Sequence, residues 1–167
     1  MLLALLLAFA TYGPIPASTP SASADLQVPT VSTEALIVDS GSTNRAGYRL
    51  RVSADGTTAL QQGPLRQAQD RLSTGSGQAS PWKKHVSAAL VNRFFADLKA
   101  AGPLDRLAAA RCMKSTSFGS TTQVGYLGKM SPDLTCPGTA AMRTLEVDAQ
   151  ALADAAGVTM MPDVRKL

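Results

Sequence analysis

Histidine occurs once in this sequence, cysteine twice and tryptophan once, and these shortages remove several kinds of chemistry at the outset. Two thiols and the lone imidazole of His85 do not supply the four ligands of an ordinary structural zinc site. A Ser-His-Asp triad would have to use His85, which borders a polar, weakly specified stretch. Ser80-Pro81-Trp82-Lys83 fits a bare Ser-x-x-Lys pattern, but the companion motifs of a lysine-activated serine are missing. An exposed histidine just ahead of a helix is the plainer expectation for His85. No metal site and no cofactor are expected.

Aromatic residues are also scarce: one tryptophan, three tyrosines and four phenylalanines. Beyond residue 24 only Tyr48, Trp82, Phe94, Phe95, Phe118 and Tyr126 remain, so a modest core is expected, in which a covalent staple would matter. The formal net charge of +4 invites a nucleic-acid reading, but its location argues otherwise. Arg66, Arg71, Lys83 and Lys84 against Asp70 give 4 − 1 = +3 between residues 64 and 84. No basic stripe with interleaved aromatics is present, and no nucleic-acid partner is expected.

Long apolar runs are lacking as well. Residues 2–10, LLALLLAFA, are nine apolar residues, whereas a membrane-spanning helix needs about 20. A stretch rich in Pro, Ser and Thr follows and ends in Ala22-Ser23-Ala24. Apolar run, then small residues at a cleavage site, is the order of a secretory signal. The expectation is a signal over residues 1–24 and one exported domain over residues 25–167, periplasmic or secreted, with no transmembrane segment after cleavage. No Lys or Arg precedes Arg45, so the basic n-region of such a signal is missing, and the true start is expected to differ from Met1. No Cys follows the apolar run to accept a lipid anchor. In an oxidising compartment Cys112 and Cys136 are most simply a disulfide, with two free buried thiols as the alternative. A loop of that size is stabilised by about 3 kcal/mol on the chain-entropy model.

The remaining pattern is readable in pieces. Ala35-Leu36-Ile37-Val38 reads as a buried strand running into the turn Asp39-Ser40-Gly41-Ser42. Tyr48-Arg49-Leu50-Arg51-Val52 alternates, placing Tyr48, Leu50 and Val52 on one face and both arginines in solvent. Asp55-Gly56 supplies a hairpin turn, and residues 57–62 return as the partner strand. Residues 64–84 carry few large apolar side chains and read as a disordered low-complexity insertion, similar to the translation of short dispersed DNA repeats.

Ser87 then caps a helix whose Val91, Phe94, Phe95, Leu98 and Ala101 share one face, ended by Gly102-Pro103. Between the cysteines two strands are expected with a turn at Gly128-Lys129. That register sets Cys136 opposite about Thr121, so residues 113–120 must bend back for Cys112 to reach it. A disulfide there could also bring Lys114 near Asp133, as a salt bridge or as part of a small polar recognition site. A second helix is expected over residues 144–156, with Leu145, Ala149, Leu152 and Ala156 inward. The order βββαββα implies an α+β fold: an antiparallel sheet of about five strands with two helices on one face.

Leu36-Ile37-Val38-Asp39-Ser40-Gly41-Ser42-Thr43 resembles the active-site loop of aspartic proteases. In that family two such aspartates share a proton and activate water, so the resemblance implies a homodimeric peptidase using Asp39. It covers eight residues, and Arg45 follows where that family has an apolar residue. A second resemblance uses four separated segments: Asp39-Ser40-Gly41-Ser42-Thr43-Asn44; Phe94-Phe95-Ala96-Asp97-Leu98 with Ala101-Gly102-Pro103-Leu104; Cys112-Met113-Lys114-Ser115 with Ser117-Phe118-Gly119; and Ser131-Pro132-Asp133-Leu134 with Cys136. Together they are similar to a group of small exported bacterial proteins of unknown function, over roughly residues 34–155. That resemblance implies a non-peptidase scaffold with the Cys112–Cys136 disulfide. The first expectation is therefore a non-enzymatic binding or interaction module meeting an unidentified protein or small ligand of the cell envelope. The aspartic peptidase is the alternative.

Overall fold

The computed structural model describes residues 27–43, 45–63, 82–115 and 119–158. The expected signal, residues 64–81 of the expected insertion and the tail after Met160 lie outside the described residues.

Among the described residues six strands form one sheet: β1 (Glu34–Asp39), β2 (Gly47–Ser53), β3 (Thr57–Gly63), β4 (Trp82–His85), β5 (Thr122–Tyr126) and β6 (Lys129–Met130). Their spatial order is β4-β3-β2-β1-β5-β6, and every neighbouring pair is antiparallel. Two helices, α1 (Ala88–Ala101) and α2 (Ala140–Ala156), and a 3-10 turn at Leu104–Arg106 complete the α+β fold. Alternation decides which residues face the helices. Ala35, Ile37, Tyr48, Leu50, Val52, Leu60, Val124 and Tyr126 join one core with Val91, Phe94, Phe95 and Leu98 of α1 and Met142, Leu145, Ala149 and Leu152 of α2. Phe95 meets Phe94 and Tyr126 edge-on, at centroid distances of 5.8 and 5.9 Å, the preferred geometry for aromatic pairs.

The sheet has one strand more than expected. Trp82–His85 pair with β3 along Leu60 to Thr57, so the last residues of the stretch read as an insertion, Trp82 to Lys84, are an edge strand. All four β4 side chains are exposed, which leaves no apolar alternation to reveal it. α2 begins four residues earlier than expected, capped by Thr139, whose hydroxyl accepts from Met142 N at 3.2 Å. Ser87 caps α1 as expected, accepting from Leu90 N.

Arg49 and Arg51 point to the reverse face and are half-buried there rather than in open solvent. The chain ahead of β1 crosses that face. Arg51 Nη2 donates to Gln27 O (3.3 Å), and Gly128 N donates to Pro29 O (2.8 Å). Val28 lies against Gly125 so closely that a Cβ there would come within 2.8 Å of it. Leu36, paired with both Arg51 and Gly125, is fully buried on this side. Among the described residues no helix is long and apolar enough to cross a membrane.

Candidate functional site

The polar residues singled out in the sequence gather at one end of the sheet, where β1 ends and β5 begins. Asp39 is the last residue of β1 and faces the helix side, between Tyr48 of β2 and Thr122 of β5. It is 2% exposed, and a carboxylate that deep must be paired and hydrogen-bonded. Arg45 Nη2 donates to its Oδ1 (2.8 Å) and Oδ2 (2.7 Å), Gly41 N donates to Oδ1 (2.8 Å), and Thr122 Oγ1 donates to Oδ2 (2.9 Å).

Arg45 reaches back because the chain after Asp39 doubles over. Ser42 and Arg45 exchange backbone hydrogen bonds of 2.8 and 3.3 Å. Gly41 makes the fold possible: its φ is +67°, and a Cβ would stand 2.4 Å from Gly47 N and 2.5 Å from Arg45 O. The motif's glycine thus serves the closure of its own loop. Burial, followed by the neighbouring Asp39 carboxylate, pushes the Tyr48 phenol far upward, so it stays neutral.

A second ion pair adjoins the first. Lys114 Nζ donates to Asp133 Oδ2, to Thr135 Oγ1 and to Ser120 O, the last at 2.6 Å. The salt bridge foreseen between Lys114 and Asp133 is present. Asp133 Oδ1 accepts from the amides of Thr122 (3.2 Å) and Thr135 (3.1 Å) and from the Thr135 hydroxyl (2.9 Å). Burial is the largest single influence on Asp133 and acts upward, but these hydrogen bonds together outweigh it and hold the carboxyl below its ordinary range. Ser120 joins the two pairs, since its hydroxyl accepts from Arg45 Nη2 at 3.1 Å while its carbonyl accepts from Lys114. Glu146 on α2 completes the rim, raised first by burial and then by Asp133, with Lys114 opposing.

The Cys112–Cys136 disulfide braces this arrangement, with Cα atoms 5.8 Å apart. The hairpin turn falls at Leu127-Gly128, one residue before the expected position, with Gly125 opposite Met130. The staple does not bridge facing strand residues. Cys136 instead sits in a loop that pairs with the chain after the 3-10 turn, where Ala109 faces Pro137 and Ala110 N donates to Cys136 O (3.0 Å). Of the bend expected over residues 113–120, residues 116–118 lie outside the described residues; on either side of them Gly119 N donates to Ser115 O (2.8 Å) and Lys114 reaches Ser120. Gly138 lets the two loops touch, because a Cβ there would meet Ala108 O at 2.1 Å.

Other sequence candidates lie elsewhere. His85 is in β4, three strand positions across the sheet and five residues along it from Asp39, roughly 20 Å away, and packs against Gly56. Lys83 stands two residues before it in β4, while Ser80 lies outside the described residues. Among the described residues no three His, Cys, Asp or Glu side chains gather as a metal would require. Sequence reasoning missed the partnership of Arg45 with Asp39. The signal was the arginine itself, standing where the protease loop has an apolar residue. No protein-family model matches the chain, and no curated protein is detectably similar to it in sequence.

Proposed function

We propose that this chain is an exported, periplasmic or secreted, non-enzymatic binding module, which meets an envelope protein or small ligand through the disulfide-braced end of its sheet. The observation that carries this reading is the saturation of Asp39. A water-activating aspartate needs an open lone pair directed at a bound water and a second carboxyl to share its proton. Asp39 accepts four hydrogen bonds from its own chain and pairs with a guanidinium. Such a carboxylate positions backbone. Recognition then falls to groups at the rim, and Met113, between Cys112 and Lys114, is wholly exposed on a covalently anchored loop. An exposed thioether held on a fixed loop suits contact with a partner surface.

Two assays on the purified oxidised protein test the reading. Acid-range incubation with a denatured substrate is expected to give no cleavage by wild type or Asp39→Asn. Hydrolysis by wild type that Asp39→Asn abolishes would establish the homodimeric peptidase and sink the module. Crosslinking in the native envelope is expected to capture a discrete partner that Met113→Asp loses. Capture unchanged by Met113→Asp would remove this end of the sheet as the contact.

A further inference from the structure

α1 and α2 pack on each other, and every buried residue on either helix is apolar except one. Asp148 lies on the inward face of α2, three residues after Leu145 and four before Leu152, and is 2% exposed. Its Oδ1 accepts from Arg93 Nε (2.7 Å) and pairs with Arg93 Nη2 (2.6 Å). Its Oδ2 is buried with no donor. Among the described residues two charged groups face it, and both come from α1: Arg93 and, one turn further on, Asp97. β5, also packed on α2, offers Tyr126 as its sole titratable group, and that hydroxyl donates to Ser32 O at 3.2 Å. The seam therefore holds two carboxyls against one guanidinium whose side chain is 55% exposed. An ionised Asp148 would leave Oδ2 desolvated, unpaired and beside a like charge. A proton on Oδ2 removes all three faults, because the resulting O–H donates to Asp97 while Oδ1 keeps Arg93.

We propose that Asp148 holds a proton in the α1–α2 seam and directs it at Asp97, so that the two helices form a pH-sensitive latch. Burial first, and then the hydrogen bond with Asp97, raises Asp148 above the usual carboxylate range, against the opposing pull of Arg93. The sign follows from linkage. A group raised in the folded state contributes stability that is complete below its unfolded value and is lost as pH rises through its folded value. The latch is closed in acid and loosens toward neutral and alkaline pH.

Thermal unfolding of wild type, Asp148→Asn and Asp97→Asn from pH 4 to pH 8 tests the latch. The amide introduced by Asp148→Asn mimics the protonated acid, accepting from Arg93 and donating to Asp97. The amide introduced by Asp97→Asn supplies a donor to an ionised Asp148. The Tm of each variant relative to wild type is expected to rise with pH, by about 4 °C or more across the range. The double variant should gain less than the sum of the two. Difference curves that stay flat, or an Asp148→Asn curve that falls with pH as loss of an ordinary Arg93 ion pair would produce, overturn the proposal. The wild-type Asp148 carboxyl carbon, followed by NMR, should titrate above the usual aspartate range. Titration at or below that range is equally fatal.

Discussion

Replacing Arg45 by Met keeps an aliphatic stem and removes the guanidinium that neutralises Asp39. Two of the four hydrogen bonds to the carboxylate disappear, leaving the Gly41 amide and the Thr122 hydroxyl as donors. Breaking a buried ion pair from one side costs about 3–5 kcal/mol, because the remaining charge is stranded. The side chains of Arg45 and Asp39 are 22% and 3% exposed, and the partial exposure of the arginine places the expected cost near the lower bound, about 3 kcal/mol. That corresponds to a Tm lower by roughly 10 °C for a domain of this size. Asp39→Asn should cost less, about 1–2 kcal/mol, since Arg45 keeps its hydrogen bond to the Ser120 hydroxyl and the amide oxygen still accepts. Urea unfolding of the two single variants and the double variant, read with an unchanged m-value, should give a coupling energy of about 1.5 kcal/mol or more. A cost below about 1 kcal/mol for Arg45→Met with no coupling would mean a surface pair, and Asp39 would not be a saturated, buried carboxylate.

Two further outcomes follow from the same geometry. Gly138→Ala should destabilise by about 3 kcal/mol in urea unfolding, because the new Cβ meets the backbone at Ala108 and Ala109, which cannot yield as a flexible side chain does; a cost under about 1 kcal/mol would show that the two loops do not touch. Asp133 is held below its ordinary range, so it contributes stability present above its unfolded value, near pH 4, and lost as pH falls through the folded value. Lys114→Met should therefore flatten the acid limb of the stability profile, and an unchanged limb would exclude Lys114 as the cause.

The parts of the fold that were legible in the sequence are those where one face is buried and the other is not. Tyr48, Leu50 and Val52 alternate with arginines, and the Asp55-Gly56 turn pins their register, so β2 and β3 were readable residue by residue. α1 was readable from the Ser87 cap to the Gly102 stop. β4 was not, because an edge strand with four exposed side chains has no period to detect. The start of α2 was missed although Met142 stands one turn before Leu145, since residues 140–141 are alanines that any element accepts. Asp148 was hidden for the opposite reason: a charged residue on a helical wheel is assigned to solvent, and only the tertiary seam shows it inside. At the site, the disulfide and the Lys114–Asp133 pair could be anticipated from sequence brackets. The role of Asp39 could not, because it depends on how tightly residues 40–46 double over to return Arg45.

The Cys112–Cys136 bond is expected to hold the polar end of the sheet together by keeping Lys114 on Asp133. Amide hydrogen exchange on the oxidised protein and on Cys112→Ser/Cys136→Ser measures this directly. The amides that depend on the cluster are Thr122 and Thr135, which donate to Asp133, and Leu134, which donates to Thr122 O (2.7 Å). Loss of the staple is expected to accelerate these three by about tenfold or more beyond any change at Phe95 and Leu98 in α1. Acceleration of equal size at all five sites, or none at Thr122 and Thr135, would contradict it.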